Sequence, residues 1–135
     1  MDRQKVLIIS ADGLQAKFIL DCLVEAGYEA WVVELEDNAI AMIQQVIPDL
    51  VILNWGLQSE RGLQLIRTIR EANQAESLPI LVSGVEMQEQ EVLSSLEAGA
   101  DISLRESFHP RVFLARVNSI LKRAHHVQPP GPAGR

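Results

Sequence analysis

Hydroxyls, an amide and a few charges stand directly after the short apolar runs of this 135-residue chain. They are Ser10, Ala11 and Asp12 after Val6–Ile9, Asn54 and Trp55 after Leu50–Leu53, Ser83 and Gly84 after Ile80–Val82, and Arg105 and Glu106 after Ile102–Leu104. Ser10 or Ser83 could serve as the nucleophile of an acyl- or phosphoryl-transfer enzyme, but neither has a histidine at a neighbouring run end to take its proton. No Walker A sequence and no G-x-G-x-x-G occurs at these points, so no nucleotide cradle is written in the chain. The single cysteine, Cys22, excludes an internal disulfide, and three scattered histidines give no zinc-ligand spacing. Cys22 falls on the apolar stripe of a helical pattern, which makes it an inert thiol rather than a nucleophile. His109 precedes Pro110 at a helix start, and the adjacent His125 and His126 lack further ligands.

The elements that must position these residues alternate regularly. Val6–Ile9 is a continuous apolar run, the pattern of a strand buried on both faces. From Leu14 to Ala26 the apolar set Phe18, Ile19, Cys22, Leu23 and Ala26 recurs at helical spacing, with Asp12 placed as cap and Gly27 as stop. Ala30–Val33 is a second strand with Trp31 as a core residue. A second helix follows through Ala39, Ile40, Met42, Ile43 and Val46, capped by Asp37 and closed before Pro48. Three further units follow: Leu50–Leu53 with a helix from about Gly62 to Ala72, Ile80–Val82 with one from about Gln88 to Ala98, and Ile102–Leu104 with one from Pro110 to about Lys122. Strand and helix alternating five times, with nearly all-apolar strands, predict an α/β fold with a doubly wound parallel sheet. In such a sheet ligands sit at the carboxyl ends of the strands, where the residues named above cluster. Residues 1–124 are expected to form the domain. Residues 125–135, rich in Pro and Gly, are expected to form a tail or linker.

Lys5–Ile9, Pro48–Leu53, Gly62–Arg67, Ala98–Asp101 and Phe108–Arg116, all in one register, resemble the receiver domain of bacterial two-component response regulators. The resemblance implies a flavodoxin-like fold with strand order 2-1-3-4-5. It also implies an acid pair after the first strand and a phospho-accepting aspartate after the third, which together hold Mg²⁺. A Thr or Ser after the fourth strand, a Lys after the fifth and an aromatic switch residue in the fifth complete the set. In this chain the acid pair falls on Ser10 and Ala11, the phospho-acceptor on Asn54, the hydroxyl on Ser83 or Gly84, the lysine on Glu106 with Ser107 after it, and the switch residue on Ser103. Neutral oxygens do not replace the carboxylates that Mg²⁺ wants, an amide is not a nucleophile, and Glu106 inverts the charge facing a transferred phosphoryl group. The chain is similar to the degenerate, pseudo-receiver members of the family.

Forty-seven per cent hydrophobic and 22% charged residues place the chain among globular domains, and at this length roughly two-thirds of the unfolded surface can be buried without metal or disulfide. A net charge of −6, from 12 basic and 18 acidic residues, argues against nucleic-acid binding by this domain. The apolar stretch near the N-terminus is too short for a signal sequence or a membrane span, so a cytoplasmic protein is expected. The expected function is phosphorylation-independent protein binding in signalling or transcription control, with no catalysis and no cofactor. By the resemblance, the partner face is the fourth helix, fifth strand and fifth helix, with Glu91, Asp101, Ile102, Arg111, Val112 and Arg116, and it could form a homodimer; Trp55 is either a further contact or an apolar lid over the vacated pocket. Ile102 and Val112 stand where dimerising relatives tend to carry acids, which suggests a more apolar contact. The alternative is a small-molecule binder on the same fold. Asp12-Gly13-Leu14 loosely resembles the D-x-H start of cobalamin-binding domains, with Leu14 where the axial histidine would stand.

Overall fold

In a computed structural model of the chain, the described residues are 3–34, 36–54, 59–72, 77–84, 87–104 and 109–126. They form β1 (Lys5–Ser10), α1 (Gly13–Glu25), β2 (Glu29–Val33), α2 (Glu36–Val46), β3 (Leu50–Asn54), α3 (Ser59–Ala72), β4 (Ile80–Ser83), α4 (Glu89–Ala98), β5 (Ile102–Leu104) and α5 (Pro110–His126). The five strands are parallel in the order β2-β1-β3-β4-β5. The doubly wound α/β fold expected from the alternation is therefore the one observed. Trp55, Arg105, Glu106, Ser107 and the end of the tail lie outside the described residues.

The all-apolar strands are explained by cover on both faces. Val6, Ile8, Leu50, Ile52 and Leu81 pack on one side with Ile19 and Leu23 of α1 and Phe113, Val117 and Leu121 of α5. Leu7, Ile9, Val51, Leu53, Ile80 and Val82 pack on the other with α2, Leu65, Ile66 and Ile69 of α3, and Met87. Every residue of β3 is buried, so this strand sits at the centre of the core.

Helix boundaries differ from the periodicity in places. The Asp12 carboxylate caps α1 as expected, its Oδ1 accepting from the amides of Leu14 and Gln15 at 3.1 Å each. Asp37 is not the cap of α2: the helix already begins at Glu36, so position 37 lies in its first turn. α3 starts at Ser59, three residues before the first periodic position, and α5 runs on to His126, past Lys122. Trp31, expected in the core, is only partly buried, because β2 is an edge strand with a neighbour on one side only.

α2 ends in an unfavourable way. Ile47, just past its last residue, holds φ at +54° before Pro48, and its side chain is 72% exposed. That left-handed position usually carries Gly or Asn, since a β-branched side chain there clashes with its own backbone at a cost of about 1–2 kcal/mol. Ile47→Asn, which forfeits little buried surface, is expected to raise stability by about 1 kcal/mol. The check is a urea midpoint that moves up with an unchanged slope; a midpoint that moves down would show that Ile47 packs more than its exposure indicates.

Candidate functional site

Parallel pairing brings the carboxyl ends of the central strands level. Ser10 is in register with Asn54, and Asn54 with Ser83. Each is the last residue of its strand, so their side chains meet at the rim of the sheet. The Ser10 hydroxyl donates to Asn54 Oδ1 at 3.0 Å, and the Asn54 amide nitrogen lies 3.4 Å from Ser83 Oγ. Ser10 Oγ also accepts the backbone N–H of Asp12 at 3.0 Å and lies 3.1 Å from the Asp12 carbonyl. Ser10 is 2% exposed and Asn54 8%, so this line of contacts is largely shut away from water.

The line is chemically self-consistent. The amide accepts on one side and donates on the other, with a hydroxyl at each end, so buried polar groups are paired without any formal charge. A carboxylate at position 54 could accept from Ser10 but could donate nothing to Ser83. The register also assigns the hydroxyl opposite Asn54 to Ser83, not Gly84. The Gly84 amide turns away to the Leu104 carbonyl at 2.9 Å, tying β4 to β5. Ala11 is exposed and adds no donor or acceptor from its side chain.

Mg²⁺ does not fit these residues. The oxygens that converge are a serine hydroxyl and an amide carbonyl, both neutral, whereas this hard cation is held by carboxylates in octahedral geometry. Asp12, two residues beyond Ser10, already has its carboxylate on two amides of α1.

A second polar seam, not evident in the sequence, runs under α4. Ser95 is fully buried and donates its hydroxyl to the Val92 carbonyl at 2.8 Å, with Ser103 Oγ 3.4 Å away. Ser103 Oγ in turn lies 3.7 Å from the sulfur of Met87, which is 5% exposed. A thioether and two small hydroxyls thus occupy the space between α4 and β5. Met87 was missed because it lies outside any periodic run, in the loop before α4.

The expected contact residues divide. Val112 is 44% exposed and Arg116 and Arg111 are exposed on α5, while Ile102 is half-buried and packs into the core. Glu91 is part of the α4 start, its Oε1 accepting the Gln88 N–H at 2.7 Å. Asp101 is exposed at the start of β5 and also has a structural role, accepting from Arg70 at 2.9 Å and from the Ile80 N–H at 2.8 Å. Leu93 and Leu96 of α4, 50% and 41% exposed, were not singled out in the sequence. Ser95 takes the buried face of the helix, which leaves these leucines on its outer side. Cys22 is half-buried, and burial together with neighbouring Glu25 pushes its thiol above the usual range, which keeps it unreactive.

Comparison with known proteins bears on the family and the fold. The phosphate regulon transcriptional regulatory protein PhoB of Pseudomonas aeruginosa is 30% identical over 118 residues, covering 87% of this chain and 52% of that protein. The transcriptional regulatory protein BaeR of Escherichia coli is 30% identical over 119 residues, covering 88% and 48%. The chain therefore spans about half the length of the curated relatives it matches. Among solved structures, a putative response regulator from Chloroflexus aurantiacus superposes with a TM-score of 0.83 at 28% identity, covering 90% of this chain and 100% of that one. A CheY-like receiver domain protein from Methanospirillum hungatei shares the fold with a TM-score of 0.84 at 18% identity, covering 94% and 100%. The family profile "Response regulator receiver domain" matches residues 6–118, most of the chain. This chain belongs to that family, as the receiver domain of a two-component response regulator in signalling.

Proposed function

We propose that this receiver domain acts without phosphorylation, as a protein-binding module in signal transduction or transcription control, and that it has no catalysis of its own. One observation carries the reading: the residue closing β3 is Asn54, an amide whose oxygen and nitrogen are both engaged by neutral hydroxyls. Asn54 cannot form an acyl phosphate, and its neighbours Ser10, Ala11 and Ser83 offer neither a metal nor a counter-charge for a phosphoryl group. The transcriptional regulators among the relatives support a place in transcription control.

The partner face is α4, β5 and the flank of α5 beside it. Asn118, on the opposite flank of α5, bonds to the Tyr28 hydroxyl near α1, which turns Val112 and Arg116 toward the β5 edge. α4 carries Glu89, Glu91 and Glu97 and no basic residue, while α5 carries Arg111, Arg116, Lys122 and Arg123 and no acid. Leu93, Leu96 and Val112 are exposed on these two helices. Apolar centre and opposite charges suit a two-fold contact in which α4 of one copy meets α5 of the other, or a heterologous protein built the same way. With the chain at −6, phosphate backbones are disfavoured as ligands for this domain. Against the small-molecule alternative, Asp12 is committed to its cap, and Leu14 offers no ligand atom.

Incubation with acetyl phosphate and Mg²⁺ is expected to leave the intact mass unchanged, and sedimentation profiles with and without beryllofluoride are expected to superimpose. Addition of one phosphoryl group, or a shift of the profile by beryllofluoride, would refute the reading.

A further inference from the structure

We propose that Met87 is a plug that holds the first turns of α4 in a single position, so that Leu93 and Leu96 are presented to a partner without any signal. The space it fills is set by β5. Ile102 packs into the core shared with α5 on one side of the sheet, so the next residue, Ser103, points to the other side, under α4. The residue of α4 that meets it is Ser95, fully buried, with the two hydroxyl oxygens 3.4 Å apart. Two of the smallest side chains thus face each other between a helix and a strand, a pairing that leaves a gap unless a third group enters it. Met87 enters it from the loop before α4. It is 5% exposed and belongs to the same core cluster as Val82 and Ala100, and its Sδ lies 3.7 Å from Ser103 Oγ, placed as a weak acceptor of that hydroxyl. An unbranched thioether suits such an irregular space.

Its place in the chain makes the plug act on the helix. Gln88 is the cap residue of α4, so Met87 stands directly before the cap and Val92 is the fourth residue of the helix. Both side chains enter one core cluster, the arrangement in which an apolar residue before the cap and one in the second turn fix the angle at which the chain enters a helix. The Glu91 carboxylate accepts the Gln88 N–H at 2.7 Å and closes the same turn from the solvent side. Ser95 donates to the Val92 carbonyl at 2.8 Å, so the hydroxyl seam ends on the residue that shares the plug's cluster.

Apolar, polar and capping contacts therefore converge on the start of one helix. The Ser103 hydroxymethyl can rotate without filling or emptying the gap, so Met87 is the group that could open it. Leu93 and Leu96, on the outer side of α4, move only if the helix moves. That consequence for binding rests on the partner face proposed above, whereas the plug itself does not.

NMR relaxation dispersion on the whole chain reads the plug, because movement of a helix between two packed positions falls in the µs–ms range. The native chain and Met87→Leu, which keeps the volume, are expected to give flat profiles for the amides of α4. Met87→Ala is expected to give exchange confined to residues 87–98, from a second position of the helix populated to about 1–10%, with β1 and β3 flat. A loss of stability alone would not place exchange in α4 only. Ser103→Phe is the second variant, since an aromatic ring under α4 competes for the same space and expels Met87. Under dilute hydrogen peroxide, Met87 is expected to form the sulfoxide at least about tenfold faster in folded Ser103→Phe than in the native chain, with Met42 as internal reference. Exchange in α4 of the native chain, flat profiles for Met87→Ala, or Met87 oxidised no faster in folded Ser103→Phe would each overturn the proposal. Labelling by acetyl phosphate would instead overturn the reading of the function and leave the plug standing.

Discussion

Asn54→Asp alone is expected to leave the domain unlabelled by acetyl phosphate in the presence of Mg²⁺. The variant supplies a carboxylate nucleophile, yet Ser10 and Ala11 still provide no anionic oxygen for the metal, and Asp12 remains committed to the start of α1. It also removes the amide donor that reaches Ser83 from β3, while burying a charge at a position that is 8% exposed. Glu106, at the position where the resemblance places a lysine, adds a second negative charge. Ser10→Asp, Ala11→Asp, Asn54→Asp and Glu106→Lys together are therefore the minimum set expected to recover Mg²⁺-dependent labelling, read as one added phosphoryl group by mass. Labelling of Asn54→Asp by itself at the rate of an ordinary receiver would refute this expectation.

Arg70→Ala is expected to destabilise the domain by about 2–3 kcal/mol. Arg70, in the last turn of α3, donates to the Gly99 carbonyl from Nε at 3.0 Å and from Nη2 at 2.7 Å, and to the Leu78 carbonyl from Nη1 at 2.6 Å. Its Nη2 also meets Asp101, which itself holds the Ile80 amide. One guanidinium thus ties the end of α3 to the segment before β4, the end of α4 and the start of β5. The Arg70 side chain is 17% exposed and that of Asp101 48%, so the ion pair is partly screened and the carbonyl bonds account for most of the loss. Gly99 is part of the same device: its φ of +128° suits glycine, and a Cβ there would stand 3.0 Å from Arg70 Cγ. Thermal denaturation is expected to show a drop of about 6–12 °C for Arg70→Ala. Arg70→Lys should recover less than half of it, because an ammonium cannot reproduce the planar fork. Full recovery by lysine would mean that charge, rather than the fork, holds the three segments.

The fold was legible because its signals are local and repeated. Five apolar runs, each followed by a helical stripe, fix the α/β class, and Asp12 before Leu14 marks a cap two and three residues from the amides it receives. The strand order came through the family likeness, since no local pattern says which strands are neighbours. The neutral character of the site was equally legible, because Ser10, Ala11 and Asn54 are residue types that no packing can turn into carboxylates.

What the sequence left open depends on contacts across long separations in the chain. Ser10 and Asn54 are 44 residues apart and Asn54 and Ser83 are 29 apart, so only the strand register decides that these three meet and that Gly84 does not. Asp101 is a surface acid in both readings, but only the fold shows that Arg70, 31 residues earlier, pairs with it. Trp31 reads as core until its strand is found at the rim of the sheet, where one neighbour is missing. Ser95 beneath α4 and the leucines it displaces follow the same rule. Periodicity measures how apolar a face is, whereas burial and pairing depend on what another part of the chain places against it, and that is settled only when the sheet closes.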